Sequence, residues 1–196
     1  LKEEAGFILH LSASTNLSPD PNEKVLINTV ENAVKMGADG VSVHVNIGST
    51  TEAKMIENLG KISVECMKWG MPLLVMIYPR GKNIINPKDK EAVKIAVRVA
   101  GELGADIVKT KYTGDIDSFR EVIRGSLVPV VIAGGSKGSE KEILQMIKDS
   151  IDAGGSGVAM GRNSFQHKTP EKFIKAVSLI IHKNKNVDDA IKEAGL

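Results

Sequence analysis

A lysine closing a short apolar run is the first residue of this chain with chemistry to explain. Lys109 stands in Ile107-Val108-Lys109-Thr110-Lys111, directly after the helix-stop signal Gly104-Ala105-Asp106. So short and apolar a run predicts a buried parallel strand. A lysine placed there must reach water, pair with an acid, or be wanted for its amine. Strand side chains alternate, so Lys109 and Lys111 are expected on the same inward face as Ile107. Two ammonium groups on one face repel, which favours the neutral amine on one of them. A neutral lysine is a nucleophile that forms a Schiff base with a ketone. Tyr78 follows the predicted strand 72–77, one strand–helix unit upstream, and opens the loop Tyr78-Pro79-Arg80-Gly81. Adjacent parallel strands would bring the phenol to the same mouth as the amine, where it can give and take a proton. The plainer alternatives are a snorkelling strand-end lysine and a tyrosine that caps the core.

These residues need elements to position them, and one pattern recurs along the chain: an amphipathic helix, a glycine stop, then a short apolar strand. Helices are expected at 23–36, 52–69, 90–103, 116–124 and 140–153, stopped by Gly37, Gly70, Gly104, Gly125 and Gly154. Glycine after a helix takes the left-handed conformation without a Cβ clash. Strands are expected at 7–11, 41–45, 72–77, 107–109, 129–133 and 157–160, with two helices after Thr169. Strands alternating with helices mean parallel βαβ units, and both a doubly wound sheet and a (β/α)8 TIM barrel satisfy that pattern. The last two strands favour the barrel, because Ala133-Gly134-Gly135-Ser136 and Gly161-Arg162-Asn163 follow them. Glycine-rich loops in those places form the phosphate site common in barrels. A full barrel takes roughly 250 residues. The 196-residue chain, a single domain over 1–196 that starts on Leu1, is therefore expected to lack the first two βα units.

Composition narrows the partners. The chain is 42% hydrophobic and 26% charged, enough for one sizeable core, and the 26 basic and 24 acidic residues nearly cancel. No basic face for nucleic acid is expected. The one cysteine, Cys66, excludes an intramolecular disulfide, fits a reducing cytoplasm, and falls in a helical pattern that suits a buried thiol. No apolar stretch of about 18 residues suggests a membrane span. His10 and His44 stand near strand ends, with Ser12 and Asn46 two positions on, and alternation would turn all four inward. They are candidates for the mouth or for hydrogen-bonded barrel packing. No grouping of His, Asp and Glu has metal-ligand spacing, so neither a metal nor another cofactor is expected. Trp69 and the methionines read as core.

Several segments together resemble the archaeal-type class I aldolases. They are Val45-Asn46-Ile47-Gly48-Ser49, Tyr78-Pro79-Arg80-Gly81-Lys82, Asp106-Ile107-Val108-Lys109, Tyr112-Thr113-Gly114-Asp115, Ala133-Gly134-Gly135 and Gly161-Arg162-Asn163-Ser164-Phe165-Gln166. That family includes fructose-bisphosphate aldolases and 2-amino-3,7-dideoxy-D-threo-hept-6-ulosonate synthases of the archaeal route to aromatic amino acids. The resemblance implies that Lys109 is the Schiff-base lysine and Tyr78 the proton donor. It implies that Gly134, Gly135, Gly161 and Arg162 hold a substrate phosphate, and that Pro79, Arg80 and Lys111 meet substrate. It further implies phosphorylated ketose and aldehyde substrates and a ring-based homo-oligomer such as a decamer. The family's catalytic aspartate belongs to an Asp-His-Gly motif after its first strand, and nothing in this chain matches it. The match around 134–166 points toward the heptulosonate synthases. Fructose-bisphosphate cleavage, a non-enzymatic phosphosugar-binding barrel and an acyl-transferring relative stay open.

Overall fold

The computed structural model describes residues 5–135 and 138–196, so Ser136 of the first glycine-rich loop lies outside the described residues. In chain order the elements are β1 (Ile8–His10), β2 (Ser12–Ala13), β3 (Val25–Leu26), α1 (Val30–Lys35), β4 (Gly40–Ile47) and α2 (Glu52–Trp69). There follow β5 (Leu73–Pro79), α3 (Lys90–Glu102), β6 (Ile107–Thr110), α4 (Ile116–Arg124) and β7 (Val130–Ala133). The chain closes with α5 (Glu140–Asp152), β8 (Gly157–Ala159), α6 (Arg162–Phe165), α7 (Pro170–Lys183) and α8 (Val187–Ala194).

Helix starts follow local side-chain chemistry. Asp89 accepts from the Ala92 amide and Asp115 from the Ser118 amide, while Ser139 and Glu142 form a reciprocal capping box at the head of α5. The long helix α2 buries Met55, Leu59, Ile62 and Cys66, a stripe at helical spacing that faces the sheet. Full burial of a side chain such as Leu59 stabilises the fold by about 1.5–3 kcal/mol. The Cys66 thiol is buried there, and burial pushes its pKa up to about 11.

Six strands form one sheet in the order β1-β4-β5-β6-β7-β8, and every neighbouring pair is parallel. Spatial order therefore follows chain order without a reversal. A doubly wound sheet must reverse at its switch point, so the arrangement is that of a barrel wall. Among the described residues β1 and β8 each keep an unpaired edge, and the sheet is an open six-stranded arc. Helices α2 and α3 lie against β4 and β5, and α5 rests on α7 and α8. The side chains that fill this outer layer include Phe119, Phe173, Leu144, Ile147 and Ile180, all fully buried. No described helix is long and apolar enough to cross a membrane.

Three expectations need correction. Helix 23–36 shrinks to α1, because Val25 and Leu26 pair with Ser12 and Ala13 in a two-stranded antiparallel ladder. Thr29 then caps the helix through the Asn32 amide, and its extended backbone ends any helix begun earlier. Gly125 stops α4 in a right-handed conformation (φ −85°), unlike Gly70 and Gly104, which are left-handed as expected. Trp69 is 44% exposed rather than core and offers its ring to the Lys68 ammonium, and Met36 and Met67 are likewise exposed.

Candidate active site

Register decides which side chains share the concave face of the arc. Met76 of β5 pairs with His44 on one side and Lys109 on the other, and Lys109 pairs onward with Val131, itself opposite Gly157. Two residues farther along, Asn46 stands beside Tyr78. The alternate set, including Val43, Val75, Val108 and Thr110, is buried toward the helices. Lys109 and Lys111 therefore do share Ile107's face.

That face opens into a cavity of about 690 Å3. Of the residues singled out from sequence, it brings together Lys109, Tyr78, Arg80, Lys111, Gly134, Gly135, Gly161 and Arg162. Pro79 does not line it: it pairs with Ile47, alternates with Tyr78, and so points to the other side of the sheet. His10 and His44 stand beside the cavity rather than in its lining.

The electrostatics are one-sided. Arg80, Lys88, Lys109, Lys111 and Arg162 line the cavity against the single carboxylate of Glu142. None of the five cations is in an ion pair among the described residues, and such a cleft concentrates anions. Burial holds the Lys109 amine below the ordinary lysine pKa. Desolvation is the cause, while Lys111 is lowered first by burial and then by Arg80 and Lys88. The expected repulsion between the paired lysines is thus replaced by a dehydration effect. Tyr78 is 5% exposed, and burial pushes its phenol up to about 12 against an opposing pull from Arg80, so it stays protonated at neutral pH.

Backbone approach explains the glycines. A Cβ on Gly134 would lie 2.5 Å from the Met160 Cβ, so the loops after β7 and β8 meet only because that side chain is absent. Asn163 ties them by donating to the Gly134 carbonyl at 2.6 Å. His167 on the same side pairs with Glu140 of α5 at 2.9 Å. At the opposite rim, a Cβ on Gly81 would come 1.6 Å from the Gly48 carbonyl oxygen, while the Arg80 amide donates to the Ile47 carbonyl at 2.8 Å. Replacing Gly81 with alanine is expected to cost about 1–3 kcal/mol by overpacking. A lowered urea midpoint at unchanged slope would register it. Wild-type stability in that variant would mean that the two loops separate freely.

Sequence reasoning passed over Lys88, Tyr112, Glu142 and Asn163 as site residues. Asn163 was legible as the residue after Gly161-Arg162. Lys88 carried no local signal, because the turn that returns it to the cavity joins β5 to α3. The Tyr112 hydroxyl is buried and has no hydrogen-bond partner among the described residues. No three His, Cys, Asp or Glu side chains converge as a metal site among them.

A half-buried lysine amine on a parallel barrel wall, facing glycine-rich loops across a cationic cavity, defines the comparison to make. The family model for DeoC/LacD family aldolases matches residues 1–167. The chain belongs to the DeoC/LacD aldolase family. A 2-amino-3,7-dideoxy-D-threo-hept-6-ulosonate synthase of Archaeoglobus fulgidus is 48% identical over 192 residues, 98% of this chain and 72% of that one. A 2-amino-4,5-dihydroxy-6-oxo-7-(phosphonooxy)heptanoate synthase of Streptomyces griseus is 47% identical over 176 residues, 89% of this chain and 64% of its own length. Among solved structures, an archaeal fructose-1,6-bisphosphate aldolase has its catalytic lysine covalently bound to the carbinolamine of the substrate. It superposes with a TM-score of 0.86 at 36% identity, covering 89% of this chain and 70% of the other. This DeoC/LacD family aldolase thus shares with its solved relative the fold in which a lysine carries the substrate.

Proposed function

We propose that the chain is a Schiff-base aldolase or transaldolase acting on a phosphorylated ketose, with Lys109 as the nucleophile. More narrowly, we infer a 2-amino-3,7-dideoxy-D-threo-hept-6-ulosonate synthase of aromatic amino acid biosynthesis. One observation carries the reading: an amine with lowered pKa and no ion-pair partner among the described residues opens on a cationic cavity, on the strand beside a protonated phenol two residues past its register partner Met76. The Lys109 nitrogen attacks the ketone carbon, and the resulting carbinolamine loses water to give an iminium. The iminium nitrogen accepts the electron pair of the bond between the α and β carbons as that bond breaks. An aldehyde leaves and an enamine remains on the lysine. Tyr78 hands on the protons that these steps release and require. In a transaldolase the enamine carbon then attacks a second aldehyde, and water frees the lysine. The phosphate stays intact between the Gly134-Gly135 and Gly161-Arg162 loops, where its binding orients the ketone. Arg80, Lys88 and Lys111 offer charge to an anionic group on the other fragment.

Two further βα units beside the open edge of β1 would close the arc into an eight-stranded barrel, and an aspartate there would serve as second acid–base group. A cytoplasmic homo-oligomer fits the same reading. The test is incubation with dihydroxyacetone phosphate and borohydride, followed by peptide mass spectrometry. A stable adduct on Lys109 is expected. No adduct on any lysine would leave a phosphosugar-binding barrel without turnover. The narrower reading is tested by offering a 2-amino acid bearing a terminal aldehyde as acceptor. Product formation faster than fructose-1,6-bisphosphate cleavage is expected, and the reverse order favours the fructose-bisphosphate aldolase.

A further inference from the structure

Beside the cavity, the concave face carries a polar network that the steps above do not use. His10 exchanges a hydrogen bond with Ser42 at 2.9 Å through Nδ1 and with Ser12 at 3.3 Å through Nε2. The Ser12 hydroxyl accepts the His44 backbone amide at 3.0 Å. The His44 Nε2 bonds to the Asn46 Oδ1 at 2.9 Å, and the Asn46 amide donates to the Asn22 carbonyl at 2.7 Å. Asn46 is fully buried, and Ser42 and Ser12 nearly so. The network ends on a ring: His44 meets Tyr78 edge-on, with centroids 5.1 Å apart and planes 72° apart. The Arg80 guanidinium lies over the Tyr78 ring at 4.9 Å.

A core built only for stability has no need of so many buried polar groups, since apolar side chains of like size avoid their desolvation. A satisfied network has one property that an apolar core lacks, which is a single orientation for each member. We propose that His44 is a positioning residue, held by Asn46 and Ser12, that fixes the ring plane of Tyr78 and so aims the phenol at the Schiff-base carbon chain. The inference rests on the reading of Tyr78 as proton donor. His44 makes no contact with the reacting atoms; it acts through the tyrosine. Burial also lowers its pKa to about 4, with the nearby Lys24, Arg80 and His10 acting in the same direction, so the imidazole is neutral in the working range and donates from Nε2 to Asn46.

A displaced phenol should slow proton transfer while leaving imine formation by Lys109 intact. The experiment compares His44→Gln, His44→Phe, Tyr78→Phe and the double variant His44→Gln/Tyr78→Phe. The readouts are kcat, KM and the yield of borohydride-trapped adduct with dihydroxyacetone phosphate. His44→Gln loses the aromatic edge, and its kcat is expected to fall about 10- to 100-fold with KM and adduct yield near wild type. His44→Phe keeps an aromatic edge but loses the Asn46 hydrogen bond that holds it, so its kcat is expected between those of His44→Gln and wild type, and a His44→Phe enzyme no faster than His44→Gln would overturn the edge-on positioning. The double variant should be no slower than Tyr78→Phe alone, because a residue that acts through the phenol has nothing left to position. Multiplied losses in the double variant would overturn the proposal, as would a His44→Gln enzyme with wild-type kcat beside an impaired Tyr78→Phe. Full activity in Tyr78→Phe would overturn both this inference and the role given to the tyrosine. An adduct yield that falls in parallel with kcat would mean that His44 supports the lysine or the fold instead.

Discussion

Methionine in place of Lys109 is expected to lower kcat by about 10⁴-fold or more, since it keeps the volume of the side chain and removes the only atom that bonds to substrate. The fold should survive, because the amine is half-buried, makes no ion pair among the described residues, and is held in a desolvated place that disfavours its charged form. The variant should unfold at a urea midpoint equal to or above wild type. Its borohydride adduct should vanish, whereas Lys111→Met should retain one. An adduct persisting in Lys109→Met would transfer the chemistry to another lysine.

The same amine sets the pH dependence. Its nucleophilic form is the neutral base, so the rate of imine formation rises with pH through the lysine pKa. Burial lowers that pKa, and the rising limb should therefore lie below the ordinary lysine value. Trapping with cyanoborohydride across a pH series measures it directly. A midpoint at the value of a free lysine would show that burial does not activate the group.

Phenylalanine at position 78 is expected to reduce turnover by about 10²- to 10⁴-fold, the range for losing a positioned acid–base group. The substitution removes one oxygen and keeps the ring between the His44 edge and the Arg80 guanidinium. Because the phenol is held up to about 12, the tyrosine begins each cycle protonated throughout the neutral range. Its loss should therefore show as a lower kcat at every neutral pH and not as a shifted profile. Stopped-flow turnover together with adduct yield separates the steps. A variant that forms adduct but turns over slowly fits the role, and one that turns over at the wild-type rate removes Tyr78 from the mechanism.

Much of this was legible along the chain. The helices α2 and α4 fall where apolar periodicity and the flanking stop signals put them, because spacing, caps and glycine stops are local. Helix α1 did not, since Val25 and Leu26 found a distant partner strand that no local pattern announces. The pair Lys109 and Tyr78 was readable from strand ends one unit apart, and both line one cavity. Pro79 was placed at the substrate through the resemblance of its loop, yet strand alternation turns it to the face opposite Tyr78. Alternation turned His10, Ser12, His44 and Asn46 inward as expected, but Lys88 and the Asn22 end of their network were unreadable, because each depends on a loop folding back across the sheet.

The sequence by itself determined the alternation of helix and strand, the glycine-rich strand ends and the amine at position 109, since each follows from propensity, period or residue type within a few positions. Only the tertiary structure decided why the pKa of that amine is lowered. The choice between a neighbouring charge and the loss of water depends on distances between β5, β6 and β7, and those arise when strands far apart in the chain come into register.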